Sequence, residues 1–226
     1  MSAKTGSAGS SAAEPVAVIG GSCRLPGGVD SLDSLWDLLV EEQETAKPVP
    51  TDRWDAEAIA AGLPDRMARR MRLGGFLEGD LGAFDAQAFG LSGTEANWLD
   101  PQHRLLLMVA WEACENAGMP IDGLRGSQTG VFAGMYAMDN YLRGHRPDQD
   151  SSAYWYSGGM HGVGMGRLSL MLDLHGPNMG VDTACSSSLA AVHLACQAPR
   201  AGECPTALVG GVSAGLGPEV GAASSE

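Results

Sequence analysis

Apolar and polar residues alternate along the chain in blocks that change from strand spacing to helical spacing. Residues 16–19 are a short apolar run that predicts a strand, and residues 130–134 predict a buried strand. Ser31 can cap a helix that we expect to continue through Glu44, because its apolar positions recur at helical spacing at Leu35, Trp36, Leu38 and Leu39.

Residues 100–116 carry the clearest helical pattern. Asp100 supplies a capping carboxylate, Pro101 suits a first helical turn, and Gly118 is expected to end the helix. Later in the chain, apolar runs at residues 179–181 and 207–212 predict two strands. The apolar segment between them predicts a helix that stops at Pro199. Strands that alternate with helices in this way favour an α/β layered fold.

Composition and charge exclude several classes of protein. The 226 residues include 14 Lys plus Arg against 27 Asp plus Glu, and a net charge of −13 argues against a nucleic-acid partner. No apolar run approaches the roughly 20 residues that a membrane helix needs. The five cysteines include no C-x-x-C pair, which favours neither a zinc site nor a disulfide framework and indicates a reducing, cytoplasmic compartment.

The two ends of the chain differ from its centre. Residues 1–14 are rich in Ser, Ala and Gly and contain no Arg, which predicts a flexible tail in preference to an organelle-import peptide. Residues 219–226 consist mainly of Gly, Ala and Ser, and we interpret them as a flexible end or a point of truncation. A single domain is therefore expected over residues 15–218.

Cys185 is the candidate catalytic residue. It follows a predicted strand and stands at the start of a predicted helix, where unpaired N–H groups and the helix dipole favour a thiolate. The same N–H groups can stabilise an oxyanion that forms when sulfur attacks a carbonyl. The alternative is a small buried cysteine that only packs, and the three serines that follow Cys185 favour a helix start over a helix interior.

Residues 182–189, with the sequence DTACSSSL, resemble the nucleophile motif of β-ketoacyl synthases, in particular the ketosynthase domains of type I polyketide synthases and related fatty acid synthases. Further matching motifs, in the family's order and spacing, are VAVIG at 16–20, CRLPGG at 23–28, DRWD at 52–55, GGFL at 74–77, LDPQHRLLL at 99–107 and WEA at 111–113. The resemblance covers nearly the whole chain and implies the N-terminal half of a layered thiolase-like α/β fold.

The resemblance also implies a reaction. Cys185 would accept an acyl group from a pantetheine thioester, and a malonyl unit on an acyl carrier protein would then lose carbon dioxide and attack the acyl-enzyme. The implied partners are an acyl carrier protein, acyl and malonyl thioesters and, when the domain is complete, a second copy in a homodimer. Phosphopantetheine belongs to the carrier, so no cofactor and no metal of the chain's own are expected.

The decarboxylation step in this family needs two histidines from the second half of the domain, and the sequence ends before that half. His193 lies eight residues beyond Cys185, about 12 Å along a helix, which is too far for a hydrogen bond. His161 and His175 are expected in loops with structural roles, His103 in an exposed first turn, and His145 in a polar loop at residues 139–152.

Several interpretations therefore stay open. The chain is expected not to complete a condensation alone, as a fragment of a longer synthase, a product cut short by its gene model, or a half-domain that works with a partner. The sequence is also compatible with a non-catalytic module that binds acyl carriers or a synthase, and with a hydrolase. A half-domain would expose an apolar face, so we expect self-association of the isolated chain. Carrier docking would need a basic patch, and the dense cluster is Arg66, Arg69, Arg70 and Arg72, which a solvated helix face explains equally well.

Overall fold

The structure is a computed structural model that describes residues 14–138 and 153–218. The predicted tail up to residue 13, the predicted polar loop at 139–152 with His145, and the predicted end at 219–226 lie outside the described residues. The described chain alternates helices with a parallel sheet, which confirms the predicted α/β class.

Three parallel strands form the central sheet. In chain order, two short strands come first as an antiparallel pair, β1 (Lys47–Pro48) and β2 (Leu73–Gly74), followed by the sheet strands β3 (Gly130–Gly134), β4 (Asn178–Val181) and β5 (Ala207–Gly211). The order across the sheet is β4-β3-β5, and all five residues of the middle strand β3 are buried. Gly134 pairs with both Val181 and Gly211, so the carboxyl ends of the three strands meet at one edge.

Helices flank this sheet on the described part of the chain. Before β3 they are α1 (Leu32–Val40), α2 (Ala56–Ala60), α3 (Asp65–Arg72), α4 (Gly93–Trp98), α5 (Pro101–Asn116) and α6 (Ile121–Leu124). After β3 they are α7 (Ala153–Gly159), α8 (His161–Leu172) and α9 (Ser187–Arg200), with a short 3₁₀ turn at Ala184–Ser186 directly before α9.

Helix α5 begins and ends as the sequence predicts, and it fixes the loops that follow the strands. The Asp100 carboxylate accepts a hydrogen bond from the Gln102 N–H at 2.8 Å and so caps the helix. The Gln102 side chain donates to the Ala137 carbonyl at 3.0 Å and accepts from the Ala214 N–H at 3.2 Å. One buried amide therefore ties together the chain that leaves β3 and the chain that leaves β5.

Two predicted helix ends differ from the structure. Ser31 caps α1 as predicted, but the helix ends at Val40, because Glu42 adopts a φ of 51° in the left-handed region that ends a right-handed helix. Pro199 lies inside the last turn of α9. The ring of proline sets a φ that suits a helix, and although it removes one N–H donor and crowds the carbonyl four residues earlier, the helix continues to Arg200 before it ends.

The predicted strand at residues 16–19 is wrong. No described strand pairs with these residues, and Val18 is 94% exposed. This segment and β5 both line a cavity of about 750 Å³, and no ladder joins the two in the described sheet. The segment is held instead at its far end, where the Gly21 N–H donates to Asn116 at 3.0 Å and the Ser22 hydroxyl donates to Glu112 at 2.6 Å. A β-branched run cannot form a strand without a partner.

Candidate active site

Cys185 stands at the edge where the three parallel strands end. The chain leaves β4 at Val181, turns through Ala184–Ser186 and enters α9 at Ser187. The Cys185 side chain is exposed. The predicted order of strand, turn and helix is therefore confirmed, although Cys185 lies in the 3₁₀ turn two residues before α9 and not in the helix itself.

The start of α9 packs directly on the ends of two strands. A Cβ built on Gly134, the last residue of β3, would lie 2.6 Å from the backbone nitrogen of Ser188. A Cβ built on Gly211, the last residue of β5, would lie 2.7 Å from the Ser188 Cβ. Contacts this short are sterically forbidden, so only glycine at these strand ends lets the helix reach the sheet.

Hydrogen bonds within the motif hold the turn before α9 in an unusual conformation. Ala184 has a φ of 55°, which residues with a Cβ rarely adopt. The Asp182 carboxylate accepts from the Ala184 N–H at 3.1 Å, and the Ser186 hydroxyl donates to the Thr183 carbonyl at 2.8 Å. The Ser187 hydroxyl accepts from the Thr183 N–H at 2.9 Å and donates to the Ala184 carbonyl at 2.6 Å.

The arrangement places an exposed thiol beside a backbone N–H that could donate to an oxyanion. Within residues 14–138 and 153–218, the Cys185 N–H has no hydrogen-bond partner, whereas the N–H groups of Ser186 and Ser187 are used inside the turn. An exposed thiol beside a free backbone N–H and the start of a helix suits attack on a carbonyl carbon. The sequence pattern singles out Cys185 as a candidate but does not single out Gly134, Ala184 or Ser187.

None of the four described histidines forms a hydrogen bond with Cys185. His193 lies on the exposed surface of α9, and His175 is exposed and 3.0 Å from the Asp173 carboxylate. His161 was expected in a loop but begins α8 and is half-buried. Burial lowers the pKa of His161, while the backbone of Tyr136 and the Asp182 carboxylate act in the opposite direction.

His103 was expected in an exposed helical turn, and this expectation is wrong. Its side chain is 1% exposed, because α8 crosses the start of α5 at Gly164. A Cβ on Gly164 would lie 2.5 Å from the His103 Nε2, and the His161 ring lies edge-on with its centroid 6.2 Å away. Burial lowers the pKa of His103 to about 3, with further contributions from His161 and Arg167. Spacing within α5 could not reveal a partner that comes from a distant helix.

The described residues show no cluster of three or more His, Cys, Asp or Glu side chains that could hold a metal ion. All five cysteines are free thiols. No helix among the described residues is both long enough and apolar enough to cross a membrane.

Solved structures with a similar fold define the class of protein. A ketosynthase domain of oxazolomycin biosynthesis from Streptomyces albus JA3453 superimposes with a TM-score of 0.77 at 32% identity, over 92% of this chain and 36% of that one. A mutant ketosynthase from module 6 of the bacillaene synthase of Bacillus subtilis 168 gives a TM-score of 0.76 at 33% identity, over 90% of this chain and 33% of that one. The fold is the thiolase-like fold of ketosynthases, as predicted.

The chain belongs to the β-ketoacyl synthase family, because the family model for the Beta-ketoacyl synthase, N-terminal domain, matches residues 13–226. One component of the phenolphthiocerol/phthiocerol polyketide synthase of Mycobacterium tuberculosis is 49% identical over 92% of this chain and 14% of its own length. A second component of that synthase is 47% identical over 91% of this chain and 11% of its own length. The chain thus spans about a seventh or less of these relatives, and it is a ketosynthase domain fragment of the polyketide synthase type.

Proposed function

We propose that this chain supplies the acyl-accepting cysteine of a condensing enzyme, of the 3-oxoacyl-[acyl-carrier-protein] synthase type, in polyketide biosynthesis. The observation that carries the proposal is the exposed Cys185 beside its own backbone N–H, which has no partner among the described residues, in a turn at the carboxyl ends of three parallel strands. Membership in the family and the polyketide synthase relatives support it.

The first half-reaction is acyl transfer to sulfur. The Cys185 thiolate attacks the carbonyl carbon of an acyl-pantetheine thioester, and the carbonyl oxygen becomes an oxyanion within reach of the Cys185 N–H. The intermediate collapses when the carbon–sulfur bond to pantetheine breaks, which releases the pantetheine thiol and leaves an acyl group on Cys185. In this proposal the chain uses no cofactor of its own, because the carrier protein brings the phosphopantetheine.

The second half-reaction forms the carbon–carbon bond. Malonyl on a carrier protein loses carbon dioxide, and the electron pair left on its α-carbon attacks the acyl carbon on Cys185. The Cys185 thiolate then leaves, and the 3-oxoacyl product stays on the carrier. In the family two histidines assist this step, and none of the described histidines forms a hydrogen bond with Cys185, so the proposal assigns to the described residues the acyl-transfer step alone.

Intact-protein mass spectrometry tests the first half-reaction. The chain is incubated with an acyl-N-acetylcysteamine thioester, and we expect one acyl adduct that is lost in Cys185→Ala and kept in Cys196→Ala. Folded wild-type protein without an adduct, and without release of free thiol, would instead support the second candidate, a non-catalytic module that binds acyl carriers or a synthase. Release of thiol without a lasting adduct would indicate a hydrolase.

We further propose that an acyl carrier protein docks on α3. Arg66, Arg69 and Arg70 are exposed, and no ion pair involves them in the described part of the chain, whereas Arg72 is 2.8 Å from Glu57. Carrier proteins of this family are acidic, so three free cations on an otherwise acidic chain suit them. Replacing the three residues with Glu should weaken carrier binding in titration calorimetry at least tenfold, with Arg125→Glu as a control, and unchanged affinity would contradict this site.

The homodimer that the resemblance implies for the complete domain is also part of the proposal, and it is distinct from the self-association expected of the isolated chain. Sedimentation velocity of the complete domain across a range of protein concentrations tests it. A dimer whose sedimentation coefficient does not change with concentration would support it, whereas a monomer at all concentrations would contradict it.

A further inference from the structure

The peptide bond between Ala184 and Cys185 is turned in a defined direction. The Ala184 carbonyl points into the turn, where it accepts hydrogen bonds from both the backbone N–H and the hydroxyl of Ser187. In a trans peptide the C=O and N–H bonds point in opposite directions. The Cys185 N–H must therefore point out of the turn, and this is the N–H that has no partner among the described residues.

Ser187 is placed to enforce this orientation. Its hydroxyl is both an acceptor and a donor in the turn. It accepts from the Thr183 N–H at 2.9 Å and donates to the Ala184 carbonyl at 2.6 Å. The side chain is 4% exposed, and it lies against the end of β3, where a Cβ on Gly134 would approach the Ser187 Cβ to 2.8 Å. The hydroxyl is thus fixed by the sheet and has no freedom to leave the turn.

The hydrogen bonds of Ser187 bridge a part of the turn whose backbone conformation is unfavourable by itself. Ala184 has a φ of 55°, and an L-residue in this region relaxes to negative φ unless its surroundings hold it. Rotation about the N–Cα bond of Ala184 would relieve the strain, but it would also turn the Ala184–Cys185 peptide relative to Thr183 and so redirect the Cys185 N–H. The hydroxyl opposes this rotation, because it bonds to groups on both sides of the Thr183–Ala184 pair.

We propose that Ser187 is a positioning residue for acyl transfer, which holds the Ala184 carbonyl inward so that the Cys185 N–H faces the oxyanion of the attacked thioester. This inference rests on the proposed function of Cys185. Ser187 touches neither sulfur nor substrate in this role, and it acts through the Ala184–Cys185 peptide. Loss of the Ser187 hydroxyl should therefore slow those reactions of Cys185 that form an oxyanion. It should not change how readily a small reagent reaches the thiol.

The two neighbouring serines provide matched controls. The Ser186 hydroxyl bonds to the Thr183 carbonyl and hydroxyl, and so does not reach the Ala184 carbonyl. The Ser188 hydroxyl forms no hydrogen bond within the described chain, and its residue is exposed. A variant with alanine at either position removes a hydroxyl from the same motif without releasing the Ala184 carbonyl.

The test compares two reactions of Cys185 in the full chain. Acylation by an acyl-N-acetylcysteamine thioester passes through an oxyanion, whereas alkylation by iodoacetamide does not. We expect Ser187→Ala to slow acylation at least tenfold while alkylation stays within about twofold, and Ser188→Ala to change neither. Adding Ala184→Gly to Ser187→Ala should recover at least a third of the lost acylation rate, because glycine adopts positive φ without strain.

Two results would overturn the inference. One is acylation of Ser187→Ala at the rate of Ser188→Ala, and the other is an equal fall in acylation and alkylation, which would indicate a general loosening of the turn. If the wild-type chain is not acylated, the proposed function itself fails, and amide exchange measured by NMR still decides the role of the hydroxyl. Ser187→Ala should then speed exchange of the Thr183 amide at least tenfold relative to Ser188→Ala, and equal exchange would exclude the role.

Discussion

Gly134 and Ser187 are in such close contact that a Cβ added to the glycine would lie 2.8 Å from the Ser187 Cβ. The same added atom would lie 2.6 Å from the Ser187 carbonyl carbon and from the Ser188 nitrogen. The end of the central strand β3 and the start of α9, which follows Cys185, are therefore packed with no room for a side chain between them. The geometry of the turn that carries Cys185 depends on this contact, because α9 cannot move back without lifting Ser187 off the sheet.

Gly134→Ala should displace the start of α9 and disturb the Cys185 turn. The atoms that meet the new Cβ belong to backbone, so the strain cannot be relieved by a rotamer change, and overpacking of this kind costs about 1–3 kcal/mol. We expect a lower midpoint in urea unfolding together with at least a tenfold loss of Cys185 acylation. Gly62→Ala is the control, because no atom lies within 4 Å of its added Cβ. Equal midpoints for the two variants would contradict the close packing.

Two glycines two residues apart in α8 should respond in opposite ways to the same substitution. Gly162 has no neighbour within 4 Å of an added Cβ, so Gly162→Ala should stabilise the helix by about 0.5–1 kcal/mol through helix propensity. Gly164→Ala would push a Cβ to 2.5 Å from the His103 Nε2, and we expect a loss of about 1–3 kcal/mol. Chemical denaturation of both variants measures the difference, and stabilisation by Gly164→Ala would show that α8 does not pack on His103.

The sequence predicts those features that depend on neighbours along the chain. The helix at residues 100–116 follows from Asp100, Pro101 and apolar spacing, and the strand, turn and helix around Cys185 follow from apolar runs that a polar motif interrupts. Local hydrogen bonds and local periodicity decide these elements, so a window of some 15 residues contains their causes.

Features that depend on distant residues could not be predicted in this way. Residues 16–19 have the composition of a strand, but a strand needs a paired neighbour, and none of the described strands is beside it. The burial of His103 depends on a glycine 61 positions later, at Gly164. The left-handed Ala184 carried no signal because positive φ is normally marked by glycine, and here Ser187 and the sheet impose it on an alanine.

Acidification should destabilise the fold through His103. The pKa of this imidazole is about 3 in the folded chain against an ordinary value of 6.5, because the buried ring disfavours the charged form. Between these values the unfolded chain binds a proton that the folded chain does not. The contribution of His103 to the free energy of unfolding is therefore fully present above pH 6.5. It falls by about 1.4 kcal/mol per pH unit as the pH drops towards 3.

His103→Gln isolates this effect, because glutamine fills a similar space and does not titrate. Urea unfolding of both proteins at several values between pH 4 and pH 7.5 gives the difference in free energy of unfolding. As the pH falls, the glutamine variant should become more stable relative to the wild-type chain. His161, whose pKa is also lowered, titrates in both proteins and so does not produce this difference. A difference that stays constant across this range would mean that His103 is hydrated or paired in the folded chain.

The isolated chain should self-associate through its exposed apolar residues. Val18 on the N-terminal segment is 94% exposed, and on α9 Leu189 is 74% and Val192 41% exposed. Large exposed apolar side chains that cluster on one element favour association, because contact removes them from water at roughly 25 cal/mol per Å². We expect the weight-average mass in sedimentation equilibrium to rise with concentration.

Leu189→Lys should reduce this rise, whereas Gln197→Lys, which adds the same charge at an exposed polar position of α9, should leave it largely unchanged. A monomer at every concentration, with one cooperative unfolding transition, would show that these side chains do not drive association.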